Sequence, residues 1–185
     1  MKQKLYFFIF CTLLGWKVEG TIAPEVKKCV LIAVPHTSWW DFFLGIFSRA
    51  ILNIEINYLA KKELFVFPFH YFFRWTGGRP LNREKNENKV DSIAAIFLKN
   101  EVFRLAIAPE GTRKKVSQWK TGFYFIALKA NVPIVPVSFD YQKKVVGYHP
   151  PFYPTGNIET DVAFLETYFI GIVGKNPELS YTPKG

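Results

Sequence analysis

Short apolar runs alternate along the chain with longer segments in which apolar residues recur every three or four positions. The short runs predict buried strands, and the longer segments predict helices with one apolar face. The predicted strands cover residues 30–34, 54–60, 103–108, 132–141 and 143–148, with a short strand after Gly78. The predicted helices cover residues 39–50, 61–75 with an interruption or bend near Pro68, 89–98, 121–130 and 158–172, and the tail from Gly174 is expected to be loose. This alternation predicts an α/β fold: a single domain over residues 21–185 with a central, mostly parallel sheet covered by helices.

Residues 1–20 form a separate segment, in which Lys2 and Lys4 precede an apolar run over residues 5–16. As a helix this run is about 18 Å long, against about 30 Å for the hydrocarbon core of a bilayer, so it is too short to span a membrane. Three interpretations stay open: a signal peptide, a core helix, and a short helix lying in the membrane interface. The lysines before the run, with Trp16 and Lys17 behind it, favour the interfacial helix.

Charge and aromatic content restrict the partners of the chain. Lys and Arg number 24 and Asp and Glu 15, so the net charge is +9 and the surface attracts anions. Aromatic residues make up 18% of the chain, and many are Phe in apolar runs. This combination is typical of proteins at membrane surfaces and disfavours nucleic acid as a partner. Cys11 and Cys29 lie in or beside apolar stretches, which predicts buried thiols in a reducing compartment.

His36 and Asp41 stand where the first predicted strand gives way to a helix. Along one helix, side chains five residues apart point about 140° away from each other, so the pair can meet only if His36 precedes the helix. Ser38 is a good N-cap and supplies the break. A carboxylate beside an imidazole makes the histidine a positioned general base. The alternative is a structural histidine beside an ordinary helix start, with Asp41 as part of a capping box.

The chain lacks the sequence signatures of a serine nucleophile elbow, a phosphate-binding Walker loop and a metal site. A histidine base without a protein nucleophile is expected to activate a hydroxyl of the substrate or a water. Three cations follow turns or strand ends: Arg83, Arg113 and Lys120. They either form a phosphate pocket, with Gly111 admitting the backbone close to the ligand, or remain separate solvated charges.

Four blocks in order resemble the glycerolipid acyltransferases. His36-Thr37-Ser38-Trp39-Trp40-Asp41 matches the HxxxxD motif, and the run from Gly78 to Arg83 resembles the second block. Pro109-Glu110-Gly111-Thr112-Arg113 matches the third block, which contains EGTR, and the run from Val132 to Val137 resembles the apolar fourth block. Within that family the likeness is greatest to the small bacterial 1-acylglycerol-3-phosphate acyltransferases.

The resemblance implies a reaction and a set of roles. His36 is the expected general base on the acceptor hydroxyl, and Asp41 is expected to orient it. The hydroxyl then attacks an acyl thioester directly, without an acyl-enzyme, a cofactor or a metal. The expected substrate-binding residues fall into two groups. The phosphate of the acceptor is expected to bind Arg83, Arg113 and Lys120, and the glycerol and phosphate site is expected to be shaped by Glu110, Gly111 and Thr112.

The resemblance also implies partners and a location. The donor is acyl-CoA or acyl carrier protein, the acceptor is a lysophospholipid, and the enzyme works as a peripheral or monotopic protein on the anionic cytoplasmic face of the cell membrane. Three alternatives stay open: the same chemistry on another acceptor such as a lyso-aminolipid, a thioesterase, and a non-enzymatic lipid-surface module. The aromatic residues 61–75 fit either a buried core helix or the wall of an acyl-chain groove that also touches lipid.

Overall fold

The predicted α/β fold is confirmed in the computed structural model, which describes residues 2–81 and 89–182. The strands are β1 (Lys17–Glu19), β2 (Lys28–Val34), β3 (Asn57–Lys61), β4 (Gly78–Leu81), β5 (Phe103–Ile107), β6 (Ile134–Asp140) and β7 (Val145–Tyr148). The α-helices are α1 (Lys2–Phe7), α2 (Trp40–Leu52), α3 (Phe69–Trp75), α4 (Lys89–Lys99), α5 (Gly122–Ala130) and α6 (Ile158–Thr167). A π-helical turn (Phe8–Leu13) follows α1, and 3-10 turns occupy Lys62–Leu64 and Pro177–Leu179.

The seven strands form one sheet in the order β1-β7-β6-β2-β5-β3-β4. The five strands from β6 to β4 run parallel, whereas β7 is antiparallel to β6 and β1 is parallel to β7. All seven residues of β6 are buried. A continuous apolar strand of this kind is typical of a parallel sheet covered on both faces.

The sheet separates two hydrophobic cores, because neighbouring residues of a strand point to opposite faces. On one face, which we call the packed face, α4, α5 and α6 cover Val30 and Ile32 of β2. On the other face, which we call the site face, α2 and the N-terminal segment cover Leu31.

The N-terminal segment is divided between core and surface. Phe10 is fully buried and stacks on both Phe47 of α2 and Trp16, with ring centroids 5.5 and 5.8 Å apart. Five other apolar side chains of the segment are exposed: Leu5, Phe7, Phe8, Leu13 and Leu14. Residues 17–19, predicted to belong to this segment, form the edge strand β1. Within the described ranges, no helix is both long and apolar enough to cross a bilayer.

Three sequence predictions were wrong in detail. The helix predicted over residues 61–75 is interrupted near Pro68 as expected, but only Phe69–Trp75 is α-helical, because Lys61 pairs in β3 and Lys62–Leu64 form a 3-10 turn. The helix predicted over 158–172 ends at Thr167. The stretch after Gly174, which has the composition of a loose tail, is anchored: the side-chain amide of Asn176 donates to the Thr37 carbonyl at 2.9 Å.

Candidate active site

Three adjacent parallel strands bring the candidate residues to one edge of the sheet. His36 follows β2, the Glu110 turn follows β5, and Tyr141 follows β6. These strands are neighbours in the order β6-β2-β5, so their carboxyl ends meet at one edge. That edge is where ligands bind in open α/β sheets.

His36 and Asp41 meet as predicted. The Nδ1 of His36 lies 3.1 Å from Oδ2 of Asp41, and the side chain of His36 is 24% exposed whereas that of Asp41 is 1% exposed. A buried carboxylate at this distance accepts the Nδ1–H of the ring. The partly exposed ring then presents the lone pair of its Nε2 to accept a proton.

The alternative interpretation of Asp41, as part of a helix start, describes the same geometry. Asp41 Oδ2 also accepts the backbone N–H of Ser38 at 2.9 Å, and the Ser38 hydroxyl accepts the N–H of Trp40 at 3.3 Å. The N-cap residue itself is Trp39, one residue later than predicted, because the Ser38 hydroxyl reaches only the first helical N–H. The start of α2 thus fixes the carboxylate that holds the histidine.

Tyr141 completes the surroundings of Asp41. Its hydroxyl donates to Asp41 Oδ1 at 2.7 Å across a separation of 100 residues. Burial, and then the hydrogen bond to Asp41, raise the pKa of Tyr141 far above its ordinary value, so the hydroxyl stays a donor. Sequence reasoning missed this residue. The available signal was a polar side chain directly after β6, the strand beside β2.

Glu110 supports the histidine from the other side. It is 2% exposed, and its Oε2 accepts the backbone N–H of His36 at 2.6 Å. Burial raises the pKa of Glu110 to about 7, although the hydrogen bond from the His36 N–H favours the charged form. The carboxyl group therefore contacts the loop that carries His36.

The three predicted cations differ in their placement: Arg113 lines the cavity, Lys120 lies over Gly111, and Arg83 is not among the described residues. Arg113 is exposed and lines the same cavity as His36. The Lys120 side chain crosses Gly111 so closely that a Cβ on that glycine would lie 2.9 Å from Nζ, and Gly111 has a φ of +63°. The hydroxyl of Thr112 accepts the Lys114 N–H at 3.2 Å within this loop. Arg83 lies outside the described residues.

An apolar cavity of about 530 Å³ extends from this edge between α2 and the sheet. Its walls include Leu31, Ala106 and Val137 from three strands. Gly45 lines it from α2, and a Cβ added there would meet no atom within 4 Å. Arg49 also lines it, and its guanidinium donates to the carbonyls of Ile56 and Thr76 at 2.7 and 2.8 Å.

Comparison with known proteins gives both a family match and similar sequences. A family model described as Acyltransferase matches residues 16–140. The chain is similar to the 1-acyl-sn-glycerol-3-phosphate acyltransferase of Escherichia coli (strain K12), at 30% identity over 135 residues that cover 68% of this chain and 53% of that protein. It is also similar to the human 1-acyl-sn-glycerol-3-phosphate acyltransferase beta, at 26% identity over 144 residues covering 75% of this chain and 50% of that protein. The chain spans about half the length of such relatives.

A solved structure has a similar fold. The crystal structure of the 1-acyl-sn-glycerophosphate acyltransferase from Thermotoga maritima superposes with a TM-score of 0.62. The superposition covers 90% of this chain and 74% of that chain at 23% identity.

Proposed function

Because this chain belongs to the acyltransferase family, we propose that it moves a fatty acyl group from an acyl thioester to the free hydroxyl of a lysophospholipid. The proposed acceptor is 1-acylglycerol-3-phosphate, and the product is phosphatidic acid. The observation that carries the proposal is the His36–Asp41 pair at the mouth of an apolar cavity that Arg113 also lines. A base, a cation and room for an acyl chain are thereby adjacent.

The reaction is a direct transfer in which no covalent bond to the protein forms. The hydroxyl oxygen of the acceptor attacks the thioester carbonyl carbon while Nε2 of His36 takes the hydroxyl proton. The carboxylate of Asp41 stabilises the imidazolium that results. The C–S bond then breaks, His36 returns the proton to the departing sulfur, and the products are an ester and a free thiol.

The acceptor phosphate binds the loop after β5. Arg113 offers a planar guanidinium that matches phosphate oxygens, and Lys120 adds a second charge beside Gly111. We assign Arg83 to the same phosphate on the strength of the family motif. Glu110 holds the His36 loop, and Gly111 and Thr112 shape the turn on which the glycerol rests.

The cavity accommodates the acyl chain of the donor. Its walls are apolar, and it follows α2 from Asp41 to Arg49, a distance of about 12 Å at the helical rise. Gly45 leaves the space that a larger side chain would occupy. Burial of a hydrocarbon chain contributes about 0.8 kcal/mol per methylene, which is enough to retain a fatty thioester.

The N-terminal segment holds the protein on the membrane. Phe7, Phe8 and Leu13 are 51 to 64% exposed while Phe10 anchors the segment in the core, so one side of it is free to enter lipid. Lys4 adds attraction to an acidic leaflet. A donor on CoA or acyl carrier protein is soluble and cytoplasmic, so the enzyme binds peripherally to the cytoplasmic face.

The test is a panel of acceptors, each assayed with two radiolabelled donors: acyl-CoA and the acyl thioester of acyl carrier protein. We expect 1-acylglycerol-3-phosphate to give the highest kcat/KM, with transfer lost in His36→Ala. A higher kcat/KM with a lyso-aminolipid would move the function to the runner-up acceptor. Release of free fatty acid at the same rate with and without lysolipid would identify a thioesterase. Absence of turnover with every pair, combined with unchanged liposome binding in His36→Ala, would identify a non-enzymatic lipid-surface module.

A further inference from the structure

A second exposed apolar surface lies on and before α3, far along the chain from the N-terminal segment. We call it the α3 surface, and it consists of Leu64, Val66, Phe67, Phe69, Tyr71, Phe72 and Trp75. Their exposed fractions run from 42% to 80%, with Phe67 at the top of that range. Soluble monomers seldom expose so many large apolar side chains together, so a surface of this kind indicates a partner.

Hydrogen bonds at the end of α3 hold the helix in the orientation that exposes these side chains. The hydroxyl of Thr76, which follows α3 and is buried, donates to the carbonyl of Phe72 at 2.9 Å and lies 2.7 Å from the hydroxyl of Tyr58. Phe73 turns inward and lines the acyl-chain cavity. One side of α3 therefore walls the cavity while the other presents Phe69, Phe72 and Trp75 to the outside.

Charge at the edges of the α3 surface narrows the choice of partner. Lys61, Lys62 and Arg74 are exposed, and Glu63 is the one acid within residues 61–75. Among the residues that the structure describes, no ion pair neutralises these three cations. Apolar and aromatic side chains with cations beside them match the interface of an anionic bilayer, where rings sit at headgroup level and ammonium groups meet lipid phosphates.

We propose that the α3 surface inserts into an anionic phospholipid bilayer as a membrane contact additional to the N-terminal segment, whose Tyr6 lines a pocket together with Trp75. The inference deepens the proposed function, on which it rests for the lipid nature of the acceptor. It places the bilayer against the outer side of the helix whose inner side walls the acyl-chain cavity. A second copy of the chain fits less well, because an isologous contact brings the cationic edges of both copies together.

A matched pair of variants tests the proposal. Phe67→Ser/Phe69→Ser removes two rings that are 80% and 61% exposed. The control, Leu98→Ser/Phe125→Ser, removes two apolar side chains that are 79% and 45% exposed on α4 and α5, at the packed face. Sedimentation with phosphatidylglycerol-containing vesicles is expected to show a partition coefficient about tenfold lower for the α3 double variant and within about twofold of wild type for the control.

Kinetics on a monodisperse short-chain acceptor separate this proposal from the catalytic one. We expect both double variants to keep the wild-type kcat/KM in that assay. Sedimentation measures vesicle binding without turnover. If the protein binds vesicles through the α3 surface but acylates no acceptor, the catalytic proposal is contradicted and the membrane contact is not. Wild-type partition of the α3 double variant, or an equal loss in the control, would overturn the membrane contact. Conversion of a dimer to a monomer by the α3 substitutions alone would also overturn it, in favour of a protein interface.

A labelling experiment keeps the test valid if the double variant does not fold. In a Cys11→Ser background, where Cys29 is fully buried, an environment-sensitive fluorophore is attached to Phe67→Cys or to Leu98→Cys. Addition of anionic vesicles is expected to shift the emission of the first label to the blue and to leave the second unchanged. Equal shifts, or none at Phe67→Cys, would contradict insertion at α3.

Discussion

The two faces of the sheet are filled in different ways. On the packed face, Phe97 and Phe103 meet edge to face with ring centroids 4.8 Å apart, and both rings are almost fully buried. On the site face, Gly45 of α2 stands beside a cavity of about 530 Å³. Filled space stabilises the fold, since each buried ring contributes dispersion and hydrophobic free energy. We propose that the open space on the site face holds the acyl chain, so matched substitutions on the two faces should separate stability from activity.

The largest effect is expected from filling the cavity. Gly45→Phe places a ring where a Cβ meets no atom, so we expect kcat/KM for a long-chain acyl-CoA to fall about 10²-fold or more because the chain is excluded. Activity with a short-chain donor should survive. The free energy of unfolding should change by less than about 1 kcal/mol, because glycine has the lower helix propensity.

Phe97→Ala is the counterpart of this substitution on the packed face. It should lower the free energy of unfolding by about 3–5 kcal/mol while the remaining folded enzyme keeps its chain-length preference. If Gly45→Phe treated long and short donors alike, the cavity would not be the acyl site.

A second prediction concerns pH and the buried carboxyl group at the site. Burial raises the pKa of Glu110 to about 7 from the ordinary 4.5, so the unfolded chain holds fewer protons than the folded chain between those values. The contribution of this group to stability is therefore present below about pH 4.5 and is lost as pH rises through about 7. Urea titrations should show wild type losing on the order of 3 kcal/mol relative to Glu110→Gln across this window.

The packed face offers a carboxylate with the opposite behaviour. Burial alone would raise the pKa of Asp161, but hydrogen bonds from Thr155 and Tyr124 outweigh it and hold that pKa below its usual range. Its contribution is present above the unfolded pKa and is lost as pH falls through the lowered folded value. Wild type and Glu110→Gln should therefore both lose free energy of unfolding in acid through Asp161. Asp161→Asn should lack this acid-dependent loss. Parallel pH curves for wild type and Glu110→Gln would contradict the raised pKa.

The smallest effect is expected from a pair of tyrosine hydroxyls that each donate to a buried carboxylate. Tyr141 donates to Asp41 at 2.7 Å on the site face, and Tyr124 donates to Asp161 at 2.8 Å on the packed face. Tyr141→Phe should lower kcat about tenfold, the low end of the about 1.5–3 kcal/mol that a hydrogen bond to a charged group contributes, because Tyr141 acts on the reaction only through Asp41. Tyr124→Phe should lower stability by a similar free energy and leave kcat unchanged. Equal kcat values in the two variants would show that Tyr141 does not position Asp41 for catalysis.

Much of the fold and the centre of the site could be predicted because the signals are local. The strand before His36 and the five-residue separation from Asp41 are visible within one stretch of sequence, and the resemblance to the acyltransferases drawn from four motifs was confirmed. The contacts of Tyr141 and Glu110 could not be predicted in the same way. They span 100 and 74 residues and exist only because β6 and β5 flank β2.

The extent of the cavity and the packing of the N-terminal segment could not be predicted for another reason. The cavity exists because Gly45 of α2 has no side chain to fill the space beside it. The sequence shows a glycine within a helical pattern but not which side of the helix that glycine faces. For the N-terminal segment, a core helix and an interfacial helix were treated as alternatives. Phe10 is buried while Phe7 and Phe8 are exposed, so one side of the segment packs in the core and the other side is available to lipid.

The central claim is that His36, oriented by Asp41, takes the proton of the acceptor hydroxyl. Its most direct test is the single-turnover rate of acyl transfer to 1-acylglycerol-3-phosphate in His36→Ala, with circular dichroism as the check on folding. Loss of a general base should slow the chemical step by about 10²–10⁴-fold at unchanged structure. A folded His36→Ala protein that transfers the acyl group at close to the wild-type rate would contradict the account.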